Sequence, residues 1–192
     1  MNLQHVNLRI PVAGELTDDL EQFIGIFHRW IRETVLDELL IDVADYRHVP
    51  HGPGVMLIGH EADYSMDNAG GIPALLYNRK AQIDAGSNED RLRDALRCAA
   101  NACRLLESED IEGGPLKFSR TTFEIIINDR ALAPNTAATF AACRPIFESF
   151  LNSALGHEDF ELVHNIADSR RRFSVTVKTA TPIDFAKIIA GG

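Results

Sequence analysis

The 192-residue chain has only three cysteines, Cys98, Cys103 and Cys143, and no C-x-x-C pair among them. Neither a disulfide framework nor a zinc ribbon is indicated as the basis of the fold. Cys103 shares a helical stripe with Leu92, Leu96, Ala99 and Leu106, which reads as a small buried hydrophobe rather than a nucleophile. Basic residues are scarce beside acidic ones, 19 Lys and Arg against 28 Asp and Glu, for a formal net charge of −9. Phosphate binding draws on clustered cations, so nucleic acid is not expected as a partner, and neither is an anionic membrane surface. No apolar run approaches the roughly 20 residues needed to span a bilayer. No basic segment leading into an apolar stretch and a small-residue cleavage site follows Met1, so the expected location is cytoplasmic. The loops G-x-G-x-x-G and G-x-x-x-x-G-K-[ST] and the elbow G-x-S-x-G are all missing, which leaves dinucleotide, P-loop and nucleophile-elbow chemistry without a signature.

What is present is the patterning of one compact domain over residues 1–192, 45% hydrophobic and long enough to bury a sizeable core. Val6, Leu8, Ile10 and Val12 alternate with His5, Asn7 and Arg9, the period of a strand with one wet face that Pro11 ends. Thr17, followed by Asp18 and Asp19, reads as an N-cap, and Leu20, Phe23, Phe27, Trp30 and Ile31 recur at helical spacing. That spacing predicts a helix over Thr17 to Leu36. Leu39 to Val49 and Val55 to Tyr64 read as an antiparallel hairpin with Pro50-His51-Gly52-Pro53-Gly54 at its tip. Ala74-Leu75-Leu76-Tyr77 reads as a short further strand, and Ser87 as the cap of a helix to about Ser108 whose second face is charged and wet.

Glu112-Gly113-Gly114-Pro115 is the clearest linker, and Phe123 to Asn128 beyond it is an Ile-rich strand. Asn135 is the expected cap of a helix reaching Leu155, which Pro145 must kink or divide. Phe160 to Ala167 and Arg172 to Thr179 form a second hairpin, and Thr181-Pro182 opens a terminal helix.

The order strand, helix, strand, strand therefore occurs twice. The octapeptide Glu38-Leu39-Leu40-Ile41-Asp42-Val43-Ala44-Asp45 matches Glu161-Leu162-Val163-His164-Asn165-Ile166-Ala167-Asp168, and one constant offset sets Leu8 on Ile125, Phe23 on Phe140 and Trp30 on Phe147. The expected fold is α+β, a mainly antiparallel sheet with helices on one face, in two pseudo-repeated halves of about 1–111 and 116–192.

Residues present in only one half are those the fold does not itself require, and they concentrate in the first hairpin. His48 and His60 are candidate ligands for a divalent metal, with Glu61 or Asp63 as ligand or base of a metal-assisted hydrolase. Centring the hairpin on Gly52 sets His60 near Ala44, with His48 several residues along, so a closed site needs a bulge or a ligand from elsewhere. Arg47, Arg79 and Lys80 are candidate contacts for an anion or small ligand. The leading expectation is a non-enzymatic module without a cofactor, binding a protein or small ligand and self-associating through an open sheet edge or an apolar helix face. The metal-dependent enzyme is the alternative.

Overall fold

Alternation of apolar and polar residues builds the sheet. In the computed structural model, which describes residues 1–14, 16, 20–83 and 86–191, the strands are β1 (Val6–Pro11), β2 (Leu40–Tyr46), β3 (Gly54–Gly59), β4 (Ala62–Asp67), β5 (Ala74–Arg79), β6 (Thr122–Ile127), β7 (Phe160–His164) and β8 (Phe173–Thr179). They form one sheet in the order β2-β3-β4-β5-β1-β6-β8-β7, with every neighbouring pair antiparallel. Leu8 lies opposite Tyr77 on one side and Ile125 on the other, and Ile125 opposite Val175. This apolar row faces the helices α1 (Gln22–Glu33), α2 (Asn88–Glu107), α3 (Ala137–Leu155) and α4 (Phe185–Ala190). Helix α1 packs on β2 and β3, α2 on β1 and β5, and α3 and α4 against α2. One hydrophobic core runs beneath them from Phe23, Phe27 and Trp30 through Leu96 and Cys103 to Phe147 and Phe150. The architecture is the α+β class read from the sequence, and no helix among the described residues is long and apolar enough to cross a membrane.

Several local expectations change. Val55 to Tyr64 is not one strand but two, β3 and β4, broken at His60 and Glu61. A Cβ on Gly59 would lie 2.4 Å from Ala62 O, so the tight return depends on the bare glycine. The β2–β3 register sets Ala44 opposite Met56 rather than near His60, with an irregularity between Leu40 and Asp42. Helix α1 begins after Glu21, and the expected cap Thr17 lies outside the described residues with Asp18 and Asp19. Helix α1 ends in a left-handed Thr34, at φ 51°.

Ser87 does cap α2, in a reciprocal box with Asp90. Helix α3 is capped by Thr136 instead of Asn135, and Pro145 sits inside a helix it does not divide. Asn135 donates to the carbonyls of Asn165 and Asp168, so its amide holds the β7–β8 connection rather than a helix end. Helix α4 is capped by Asp184, whose carboxylate accepts from Ala186 and Lys187 N–H, and not by Thr181.

The linker does not separate two cores. Ile111, Leu116 and Phe118 around it are buried, and the β1–β6 pairing carries the sheet across. The hairpin β7–β8 adjoins β6, whereas β2–β3 is parted from β1 by β4 and β5. Beside β1, then, it is β5 and β4 that hold the place β8 and β7 hold beside β6. The matched octapeptides both contribute to edge strands, β2 and β7, at opposite ends of the sheet.

Candidate functional site

The chain leaves α1 through the left-handed Thr34, buries Leu36 and then presents Glu38 before entering β2. Glu38 reaches back over the β3–β4 return, where Oε1 accepts from the Tyr64 hydroxyl at 2.5 Å and Oε2 from Ala62 N–H at 3.1 Å. Gly59 makes this approach possible, since a Cβ there would stand 2.7 Å from Glu38 Oε2. Burial raises the Glu38 pKa above the ordinary glutamate value, and the two hydrogen bonds pull it part of the way back. Tyr64 packs edge-on against Tyr77, ring centroids 5.2 Å apart, and burial pushes both phenols well above the usual tyrosine range.

Helix α2 roofs this pair. Asp94, Arg97, Cys98 and Asn101 recur at helical spacing on one stripe, and with Glu38, Tyr64 and Arg79 they line a cleft of about 290 Å³. Its charges are largely paired already. Arg79 meets Glu61 at 3.1 Å and Asp94 at 3.7 Å, and Arg97 meets Asp94 at 2.8 Å. Cys98 is partly buried, and its thiol is pushed up to about 11 by burial and then by Asp94, so it stays protonated at neutral pH.

Two of the residues singled out in the sequence, Glu61 and Arg79, are thus brought together on the cleft. Asp63 pairs instead with Lys80, Nζ to Oδ1 2.7 Å, in an ion contact whose angles fall outside hydrogen-bond geometry for Oδ1. Lys80 also donates to Gly59 O at 2.7 Å. Arg47 is tied to Asp45 and Glu21 at the far tip of the first hairpin. His48 stands exposed at that tip and His60 exposed at the other end of β3. A six-residue strand separates them by roughly 20 Å at about 3.3 Å per residue, too far to share an ion. Among the described residues no group of three or more His, Cys, Asp or Glu side chains is arranged to hold a metal.

Sequence reading missed Glu38, Tyr64 and the α2 stripe. The stripe was visible as a polar face of α2, but its neighbours were not. Scans against protein-family models, curated proteins and solved structures return no match to the chain.

Proposed function

We propose that the chain is a small-ligand-binding protein whose ligand enters the cleft under α2 and presents a cation or hydrogen-bond donor to Glu38. The observation that carries this reading is the half-buried carboxylate, held by Tyr64 at 2.5 Å in the wall of a cleft of about 290 Å³. Burial makes ionised Glu38 costly, and an ammonium or guanidinium group is the kind of partner that offsets that cost. The flanking arginines are already matched by Glu61 and Asp94, so the cleft favours a donor over an anion. Acid–base catalysis has weaker support, because Tyr64 and Cys98, the hydroxyl and thiol on the cleft, are both pushed toward their protonated forms. Metal-assisted hydrolysis on the first hairpin draws none from the positions of His48 and His60.

The test is an amide NMR titration with putrescine, agmatine and butyrate at constant ionic strength. The Ala62 N–H, bonded to Glu38, is the reporter. Saturable shifts with either amine, absent with butyrate and lost in Glu38→Gln, are the expected result. An Ala62 resonance that ignores both amines overturns the reading.

A second reading is self-association through β2. This edge strand and its flanks expose Leu39 at 68%, Ile41 at 54% and Tyr46 at 40%, an unusual apolar density for an unpaired edge. Sedimentation equilibrium separates it from the first, since Ile41→Lys then reduces mass without touching the cleft.

A further inference from the structure

The face of the sheet turned away from the helices is polar at its centre, and several of its cations are paired there. Arg9 meets Asp67 at 2.6 Å, Lys80 meets Asp63 at 2.7 Å and Lys178 meets Glu161 at 3.8 Å. Arg172, which immediately precedes β8, is half-buried while Arg170 and Arg171 in the same turn are exposed. Among the described residues it has no carboxylate within ion-pair distance. Its Nη1 donates to the fully buried Asn7 at 3.3 Å, in the amide orientation that also lets Asn7 donate to Asn78 Oδ1 at 2.9 Å. Among the described residues no other acceptor takes a hydrogen bond from the fork.

The carboxylates near enough to act on Arg172 are Glu124 and Asp67, with Arg130 opposing them. Both are engaged elsewhere. Asp67 holds Arg9 and the Ala69 N–H, and Glu124 accepts from Asn165 Nδ2 at 2.9 Å. Burial disfavours the charge on Arg172 more than Glu124 and Asp67 favour it, yet a guanidinium does not give up its proton, and desolvation that is only partly offset is a standing cost. On the same face Ile126 lies opposite Asn7, the residue that meets Arg172, and Leu76 opposite Arg9.

We propose that Arg172, oriented by Asn7 and Asn78, anchors a binding site for a single oxyanion, a carboxylate or a phosphate, on the open face of the sheet. The planar fork suits either group, and bidentate contact adds direction to charge. The site is independent of the cleft, which lies on the helix side.

The experiment is a titration of the full chain with sodium butyrate, inorganic phosphate and sodium chloride at constant ionic strength, following arginine side-chain Nε–Hε resonances. The Arg172 signal is assigned by its loss in Arg172→Lys. Saturable movement of that signal with butyrate or phosphate, and not with chloride, is the expected result, with Arg170 and Arg171 unmoved. The arm that saturates first identifies the source as organic acid or phosphate. Arg172→Lys keeps the charge but loses the fork and is expected to weaken binding by about tenfold or more, judged from the remaining amide shifts around Asn7. No saturable movement with either anion overturns the proposal, as does equal movement at Arg170. Glu124→Gln supplies a second check. If binding appears only in that variant, Glu124 is the counter-ion of Arg172 in solution and the site does not exist in the native chain.

Discussion

The two matched octapeptides begin with the same residue and give it opposite fates. Glu38 is folded into the wall of a cleft, bonded to Tyr64 and Ala62. Glu161 sits two-thirds exposed on the outer strand β7, with Lys178 3.8 Å away. Both segments feed edge strands, but Glu38 lies in the connection before β2 and Glu161 within β7, opposite Lys178. What differs is the surroundings. The β3–β4 return and the 94–101 stripe of α2 close over Glu38, whereas Glu161 is exposed. A carboxylate acquires unusual chemistry when neighbours remove its water and replace only part of what the water supplied.

The comparison breaks most completely at Gly59. Gly59→Ala places a methyl 2.4 Å from Ala62 O and 2.7 Å from Glu38 Oε2, and one of those atoms is backbone that cannot swing aside. A loss of about 3 kcal/mol of stability is expected from overpacking of this kind, read from denaturant midpoints, together with loss of the Ala62–Glu38 hydrogen bond. A fully stable variant with the Ala62 amide unmoved would mean that the return is looser than its geometry indicates.

Tyr64→Phe removes one of the two bonds that hold Glu38 while leaving the ring in place. A cost of about 2 kcal/mol is expected at neutral pH, in the range for a hydrogen bond to a charged group. The cost shrinks in acid, where Glu38 is protonated and its demand for donors falls. Chemical denaturation at several pH values reads both the size and the trend, and a pH-independent cost would place the tyrosine's contribution in packing alone.

The pH dependence of stability tests the covered member of the pair. The folded-state pKa of Glu38 is raised, so between the ordinary glutamate value and this raised one the native state holds more proton than the unfolded chain. Stability therefore falls as pH rises through that window. Relative to wild type, Glu38→Gln is expected to gain stability across the same window. Parallel curves for wild type and Glu38→Gln would show that Glu38 is well solvated.

Much of the frame was legible because it follows from short-range rules. Alternation in Val6 to Ile10 marks β1, the Ile-rich run from Phe123 marks β6, and Ser87 with Asp90 marks the start of α2. Errors gathered where a long-range contact outbids a local preference. Asn135 is a good cap by chemistry, but its amide serves the Asn165 and Asp168 carbonyls and leaves the helix to Thr136. Val55 to Tyr64 reads as one strand by composition, yet Gly59 lets the chain fold back after Gly59 and pair β4 with β5. The candidate site suffered most, because its members come from the α1–β2 connection, two strands and one helix stripe. Arg79 and Glu61 were noticed singly, whereas Glu38 and Tyr64 carry no local mark.

Periodicity and composition were enough to establish an acidic α+β chain with an antiparallel sheet and a helical layer over one face, since burial of apolar side chains at periods of 2.0 and 3.6 residues is a local property of the sequence. Strand order, the splitting of the first hairpin and the pairing of each charge were decided only in three dimensions. Desolvation and ion pairing depend on what lies within a few ångströms. Glu38 and Tyr64, or Arg172 and Asn7, become neighbours only once the sheet has brought distant segments side by side.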